Sequence, residues 1–145
     1  MNATAAPVRI LLVEDNLADV RLTREVLGLA DLPGELAVAR DGVEALELLR
    51  APGAARPDLV LLDLNLPRKS GLEVLAEMKS DPDLRCVPVV VLTTSRAESD
   101  VRRAYELHAN AYMAKSLGLA AFSETLSAFV AFWLRVATLP PEARP

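Results

Sequence analysis

The stretch Leu59-Val60-Leu61-Leu62 is apolar at every position and is bounded by Asp58 and Asp63; no other stretch restricts the possible folds so tightly. A strand with one wet face alternates apolar and polar residues, whereas an unbroken apolar run suits a central parallel strand covered on both faces. The run then breaks into Leu64-Asn65-Leu66-Pro67, which leaves Asp63 at the carboxyl edge of the strand. In open α/β sheets that edge is where ligands and chemistry collect.

Four more strand-like runs share this logic: Val8 to Val13, Glu35 to Ala39, Pro88 to Leu92 and Ala111 to Ala114. Between them lie helical periodicities. Asn16 is an N-cap candidate, with Asp19 placed to suit the helix dipole and Ala18, Leu22, Val26 and Leu29 as the apolar face. Asp31-Leu32-Pro33-Gly34 ends that helix, and Asp41-Gly42 opens the next, with Val43, Leu46 and Leu49 inward. Leu72, Leu75 and Met78 define a third helix that ends before Pro82. Ser95 and Glu98 have capping-box spacing for a fourth, whose face of Val101, Ala104, Tyr105 and His108 is the thinnest. A long final helix is expected from about Leu119 to Val136, stopped by Thr138-Leu139-Pro140-Pro141. Five strands alternating with five helices predict an α/β fold with a parallel sheet wrapped on both faces. By analogy with flavodoxin-like chains the strand order is 2-1-3-4-5.

At 145 residues, 52% hydrophobic and 25% charged, the composition is that of one globular domain. We expect a flexible leader at 1–7, the domain at 8–136 and a C-terminal tail at 137–145, with no output domain after Val136. A net charge of -4 without a basic stripe argues against a nucleic-acid binder. No apolar run spans a bilayer free of charge, and the start lacks a signal-peptide pattern, so a cytoplasmic protein is expected. The lone Cys86 reads as a semi-buried apolar residue, not a reactive thiol.

Under the predicted topology, the strand ends deliver Glu14 and Asp15, Asp63, Thr93 and Lys115 to one rim. Clustered carboxylates repel unless a cation is bound, and oxygen-only donors on a small rigid site favour Mg²⁺. Asp63 is then both ligand and nucleophile, Lys115 a point charge for an anion and Thr93 a hydroxyl that can follow it. The chemistry this permits is phosphoryl transfer onto a carboxylate.

The motifs Val13-Glu14-Asp15-Asn16, Leu62-Asp63-Leu64-Asn65-Leu66-Pro67 with Gly71, Leu92-Thr93-Thr94 and Tyr112-Met113-Ala114-Lys115 together resemble the receiver domain of two-component response regulators, the CheY-like fold. The resemblance implies that Asp63 takes a phosphoryl group from a phosphohistidine of a sensor histidine kinase, in a protein that catalyses its own phosphorylation and dephosphorylation without being a turnover enzyme. It also implies that Asp15, Asp63 and the backbone carbonyl of Asn65 hold Mg²⁺, with Glu14 acting through water. Lys115 would contact the phosphoryl oxygens, Thr93 would turn toward them, and Tyr112 would turn inward as the second half of a switch. Leu107-His108-Ala109-Asn110, Phe132-Trp133-Leu134 and the Pro140-Pro141 ending are similar to the small regulators paired with bacterial phytochromes, so a bacteriophytochrome is the expected kinase. Ser116 departs from the proline, usually cis, that follows the lysine in most receivers.

Two other readings compete. A haloacid-dehalogenase-type phosphatase also phosphorylates a strand-end aspartate but needs an acid where Asn65 stands, and a flavodoxin-like cofactor binder needs a phosphate-cradling loop where Glu14 and Asp15 would repel phosphate. His108, at a helix end, reads as structural and not as a relay histidine. On the last helix Phe122, Leu126, Phe129, Val130 and Trp133 form one stripe, and Thr125, Phe132, Val136 and Leu134 widen it beyond what one core needs. A homodimer through this helix and the C-terminal segment is therefore expected.

Overall fold

Every strand of the sheet is parallel to its neighbours, in the order β2-β1-β3-β4-β5. The strands are β1 (Val8–Val13), β2 (Gly34–Ala39), β3 (Leu59–Leu62), β4 (Val89–Thr93) and β5 (Ala111–Ala114). The helices between and after them are α1 (Leu17–Leu29), α2 (Gly42–Arg50), α3 (Gly71–Ser80), α4 (Glu98–Glu106) and α5 (Leu119–Val130). The computed structural model describes residues 8–29 and 34–141; the expected leader, the turn residues 31–33 and the last four tail residues lie outside them.

The two faces of the sheet explain the unbroken apolar runs. Leu11, Val13, Val60, Leu62, Val89 and Val91 point to one face, where Leu46, Val74, Leu75, Met78 and Ala104 cover them. Ile10, Leu12, Leu59, Leu61, Val90 and Leu92 point to the other, beneath Val20, Val26, Phe122, Leu126, Phe129 and Val130. Because side chains alternate across a strand, burial on both faces leaves no position for a polar residue until the strand ends.

Helix starts follow local chemistry. Asn16 Oδ1 accepts from the Asp19 N–H at 3.0 Å, and the Asp41 side chain accepts from the Glu44 N–H at 2.8 Å. At α3 a capping box forms in both directions between Ser70 and Glu73. Gly71, the first residue of that helix, has no room for a side chain: a Cβ there would lie 2.2 Å from the carbonyl oxygen of Asp63.

Several expectations are corrected. The buried face of α1 is Val20, Thr23 and Val26, while Ala18 is exposed and Leu22 half-buried; the Leu29 side chain lies outside the description. Thr23 can enter the core because its hydroxyl donates to the Asp19 carbonyl at 2.8 Å. The Ser95–Glu98 capping box does not form. Since α4 begins at Glu98 with Ala97 as its cap, Ser95 stands too early and instead donates to Asp100 at 2.5 Å. Cys86 is exposed, because the turn before β4 buries Val87 in its place.

The last helix is not one α-helix. Beyond Val130 it winds as a π-helical segment, Ala131–Val136, with the Ala137 N–H donating to the Phe132 carbonyl at 2.7 Å. This winding packs Trp133 and Leu134 against the core and leaves Phe132 and Val136 outside at 51% and 71% exposure. Leu134 therefore needs no partner. By length and composition Leu119–Val136 could cross a membrane, but Glu124 and Arg135 interrupt it and four of its apolar residues are buried against the sheet.

Candidate functional site

The sheet register places the site. Val13 lies beside Leu62, and the Asp63 N–H donates to the Val13 carbonyl at 3.0 Å, so the ladder continues one residue past the strands and sets Glu14 beside Asp63. On the far side Thr93 pairs with Ala114, and the Lys115 N–H donates to the Thr93 carbonyl at 2.7 Å. The five polar groups expected at one rim are thus brought to one edge. Glu14, Asp63, Thr93 and Lys115 are all buried, while Asp15 is exposed.

Lys115 is the centre of the pocket. Its Nζ donates to Glu14 Oε1 at 2.6 Å, Asp19 Oδ2 at 2.8 Å and Asp63 Oδ2 at 3.3 Å. Burial works against its charge, but hydrogen bonds to Asp19 and Glu14 outweigh that and raise the ammonium above its ordinary value. Glu14, only 2% exposed, is pushed up to about 7 by burial, with the Lys115 bond pulling the other way and the Asp63 carboxylate adding to the rise. Its Oε2 also accepts from the Asn16 N–H at 3.1 Å.

Glu14, Asp15 and Asp63 can each bring one carboxylate oxygen within 4.8 Å of the others. Two buried carboxylates and a third at the mouth hold more negative charge than Lys115 neutralises, and the donors are all oxygen, so the set fits a hard divalent cation. Asn65, two residues past Asp63, donates its N–H to Asp63 Oδ1 at 3.2 Å and its side-chain amide to Thr93 Oγ1 at 3.4 Å. Thr93 Oγ1 also lies 3.5 Å from the Ser95 N–H. Both bonds use the hydroxyl as an acceptor, which leaves its proton to be donated.

By strand parity Glu14, Asp63 and Lys115 lean toward α1 and α5, whereas Thr93 and Tyr112 lean toward α4. The Tyr112 hydroxyl, half-buried there, donates to the Ser95 carbonyl at 2.9 Å. His108 stands apart at the end of α4, exposed and with φ +73°, where its N–H donates to the Tyr105 carbonyl. No cis peptide bond occurs among the described residues, so Ser116 follows Lys115 in trans, and Arg96 donates to the Lys115 carbonyl at 3.4 Å.

One pocket residue escaped the sequence reading: Asp19, taken only as a helix-start acid, reaches Lys115. The one hint in the sequence is its place: Asp19 is the acid in the first turn of α1, the helix that begins four residues after β1 ends, but nothing in that position names Lys115 as its partner.

Residues 10–127 match the response regulator receiver domain family. Response regulator Rcp1 of Synechocystis sp. is 50% identical over 138 residues, spanning 92% of this chain and 94% of that protein. The crystal structure of the Mn²⁺-bound form of Rcp1 superposes with a TM-score of 0.90, covering 93% of this chain and all of the other. That of the phosphorylated cyanobacterial phytochrome response regulator RcpA, 49% identical, gives 0.90 over 94% of this chain and all of its own. With the 2-1-3-4-5 sheet and the acidic edge, these likenesses place the chain in the response regulator receiver family, close to the phytochrome response regulators.

Proposed function

We propose that Asp63 is the phosphoacceptor of this regulator and that the donor is the phosphohistidine of a sensor histidine kinase, a bacteriophytochrome. The observation that carries the reading is the seat of Asp63: a carboxylate 6% exposed at a strand end, with an ammonium 3.3 Å from one oxygen and two further acids beside it. A carboxylate oxygen of Asp63 forms the new O–P bond as the P–N bond of the phosphohistidine breaks, and the imidazole leaves with the bonding pair. Attack by water on the acyl phosphate returns Asp63 and releases phosphate. The protein phosphorylates and dephosphorylates itself in this way and does not turn over a separate substrate.

Glu14, Asp15, Asp63 and the Asn65 backbone carbonyl would hold Mg²⁺, with Glu14 acting through water; that Rcp1 has a Mn²⁺-bound form supports a divalent ion in a protein this similar. When bound, the ion neutralises charge on the phosphoryl oxygens. Lys115 pairs with another of those oxygens. Thr93 gives its free proton to a third, and Tyr112 follows into the space it leaves beneath α4. Phe132 and Val136 meet a second copy of the chain, since exposed aromatic and aliphatic groups this close favour burial in a two-fold contact. No membrane or nucleic-acid partner is required, and the protein works in the cytoplasm.

Exposure to acetyl phosphate with and without Mg²⁺, followed by intact mass, tests the central claim. Labelling should require Mg²⁺ and vanish in Asp63→Asn; equal labelling of both proteins would sink it. A monomer in light scattering at micromolar concentration would remove the dimer.

A further inference from the structure

The three acceptors around Lys115 are not equivalent. Its two short bonds go to Glu14 and Asp19, and the long one goes to Asp63, the group it must serve during phosphorylation. Glu14 belongs with Asp15 and Asp63 in the acidic cluster that suits a cation. Asp19 lies outside that cluster, so a cation held there leaves its carboxylate free to face Lys115.

Asp19 is also held firmly. Its N–H donates to Asn16 Oδ1 and its carbonyl accepts from Thr23 Oγ1, so the first turn of α1 is braced at both ends of the residue. The carboxylate is only partly buried, at 23% exposure, and the ammonium beneath it at 6%. Such a pair is strong enough to set where a flexible lysine rests and too weak to keep it from a group of higher charge. A phosphoryl group on Asp63 brings about -1.5 to -2 charges, against the single charge of Asp19.

Resting on the phosphoacceptor reading of Asp63, we propose that Asp19 is a positioning residue: a tether that holds the Lys115 ammonium on the α1 side of the pocket and yields it when a phosphoryl group arrives. The contact is stronger in the resting state than in the phosphorylated one. By linkage, it opposes phosphorylation by the difference between the two. Asp19 thus sets the threshold of the switch from the α1 side, opposite the side on which Thr93 and Tyr112 lie.

The test uses beryllofluoride, a phosphoryl mimic, titrated calorimetrically with Mg²⁺ into wild type, Asp19→Asn and Asp19→Glu, each checked for folding by its thermal melt. Asp19→Asn should bind about fivefold more tightly, the scale of one partly solvated ion pair, and Asp19→Glu should return toward wild type. In a metal-free crystal structure of Asp19→Asn, Lys115 Nζ should lie closer to Asp63 Oδ2 than 3.3 Å. Unchanged or weaker binding by a folded Asp19→Asn overturns the tether, because a merely structural role lowers affinity or leaves it alone. Should Asp19→Asn not fold, Asp19→Ser, which retains a helix-start acceptor, must show the same tightening. Failure of wild type to bind, or equal acetyl phosphate labelling of Asp63→Asn, would instead overturn the reading on which the tether rests.

Discussion

Helices α3 and α4 pack side by side on the same face of the sheet, and each begins a few residues beyond a strand that carries a site residue, yet they are held by different physics. Helix α3 is capped in both directions by Ser70 and Glu73 and buries Gly71, Val74, Leu75 and Met78. Its first residue presses on the backbone of Asp63. Helix α4 has no side-chain cap and buries only Ala104, and Tyr105 remains about half exposed. Polar bonds hold its start: Ser95 to Asp100, and Tyr112 to the Ser95 carbonyl. Apolar burial and steric contact fix a helix, whereas exchangeable hydrogen bonds let it move at low cost. The phosphoacceptor candidate is thus anchored by the rigid helix, and the Thr93 side of the pocket faces the loose one.

The sharpest way to break this contrast is to truncate one side chain in each helix. Leu75→Ala in α3 should cost about 2–5 kcal/mol in urea unfolding, while Val101→Ala in α4 should cost less than about 1.5 kcal/mol. Equal losses would mean that α4 is packed as tightly as α3. Next in size, Gly71→Ala forces a Cβ against the Asp63 carbonyl and should destabilise by about 1–3 kcal/mol. It should also slow acetyl phosphate labelling more than Leu75→Ala does at matched folded fraction, because it displaces Asp63 itself.

Capping sharpens the comparison further. Ser70→Ala should cost α3 about 1 kcal/mol, and Ala97→Ser should stabilise α4 by a similar amount while slowing its amide hydrogen exchange. The smallest effect concerns the surface of α3, where a hydrogen bond from Lys69 holds the Glu77 carboxyl below its ordinary value of 4.5. A carboxyl depressed on folding contributes stability above the unfolded value and loses it as pH falls through the folded one. The small deficit of Glu77→Gln at pH 7 should therefore shrink and vanish as pH falls below the ordinary carboxyl value of 4.5 and through the lowered folded one; a deficit unchanged at low pH would assign it to packing.

Much of this was legible in the residues. The run Leu59 to Leu62 demanded two covered faces, and the structure supplies both. The placement of Glu14, Asp63, Thr93 and Lys115 at one rim followed from their positions just beyond or at the ends of parallel strands. The buried side of α1 did not follow, because Val20-Thr23-Val26 and Ala18-Leu22-Val26 are both helical spacings and only the packed neighbours choose between them. Asp19 was read for its effect on its own helix, since nothing local reports a lysine 96 residues away. The π-helical turn at Ala131–Val136 was invisible for a similar reason: its residues carry ordinary helical propensity, and the winding sets which of them meet the core.

The sequence by itself determined the alternation of strands and helices and the carboxyl-edge position of each polar group, because run length and periodicity are properties of neighbouring residues. Only the tertiary structure decided which carboxylates share the Lys115 ammonium, and that Asp63, the proposed phosphoacceptor, holds it least closely. Those distances depend on strand register and helix placement acting together, and charges a few ångströms apart in a buried pocket interact too steeply with distance for any local pattern to encode them.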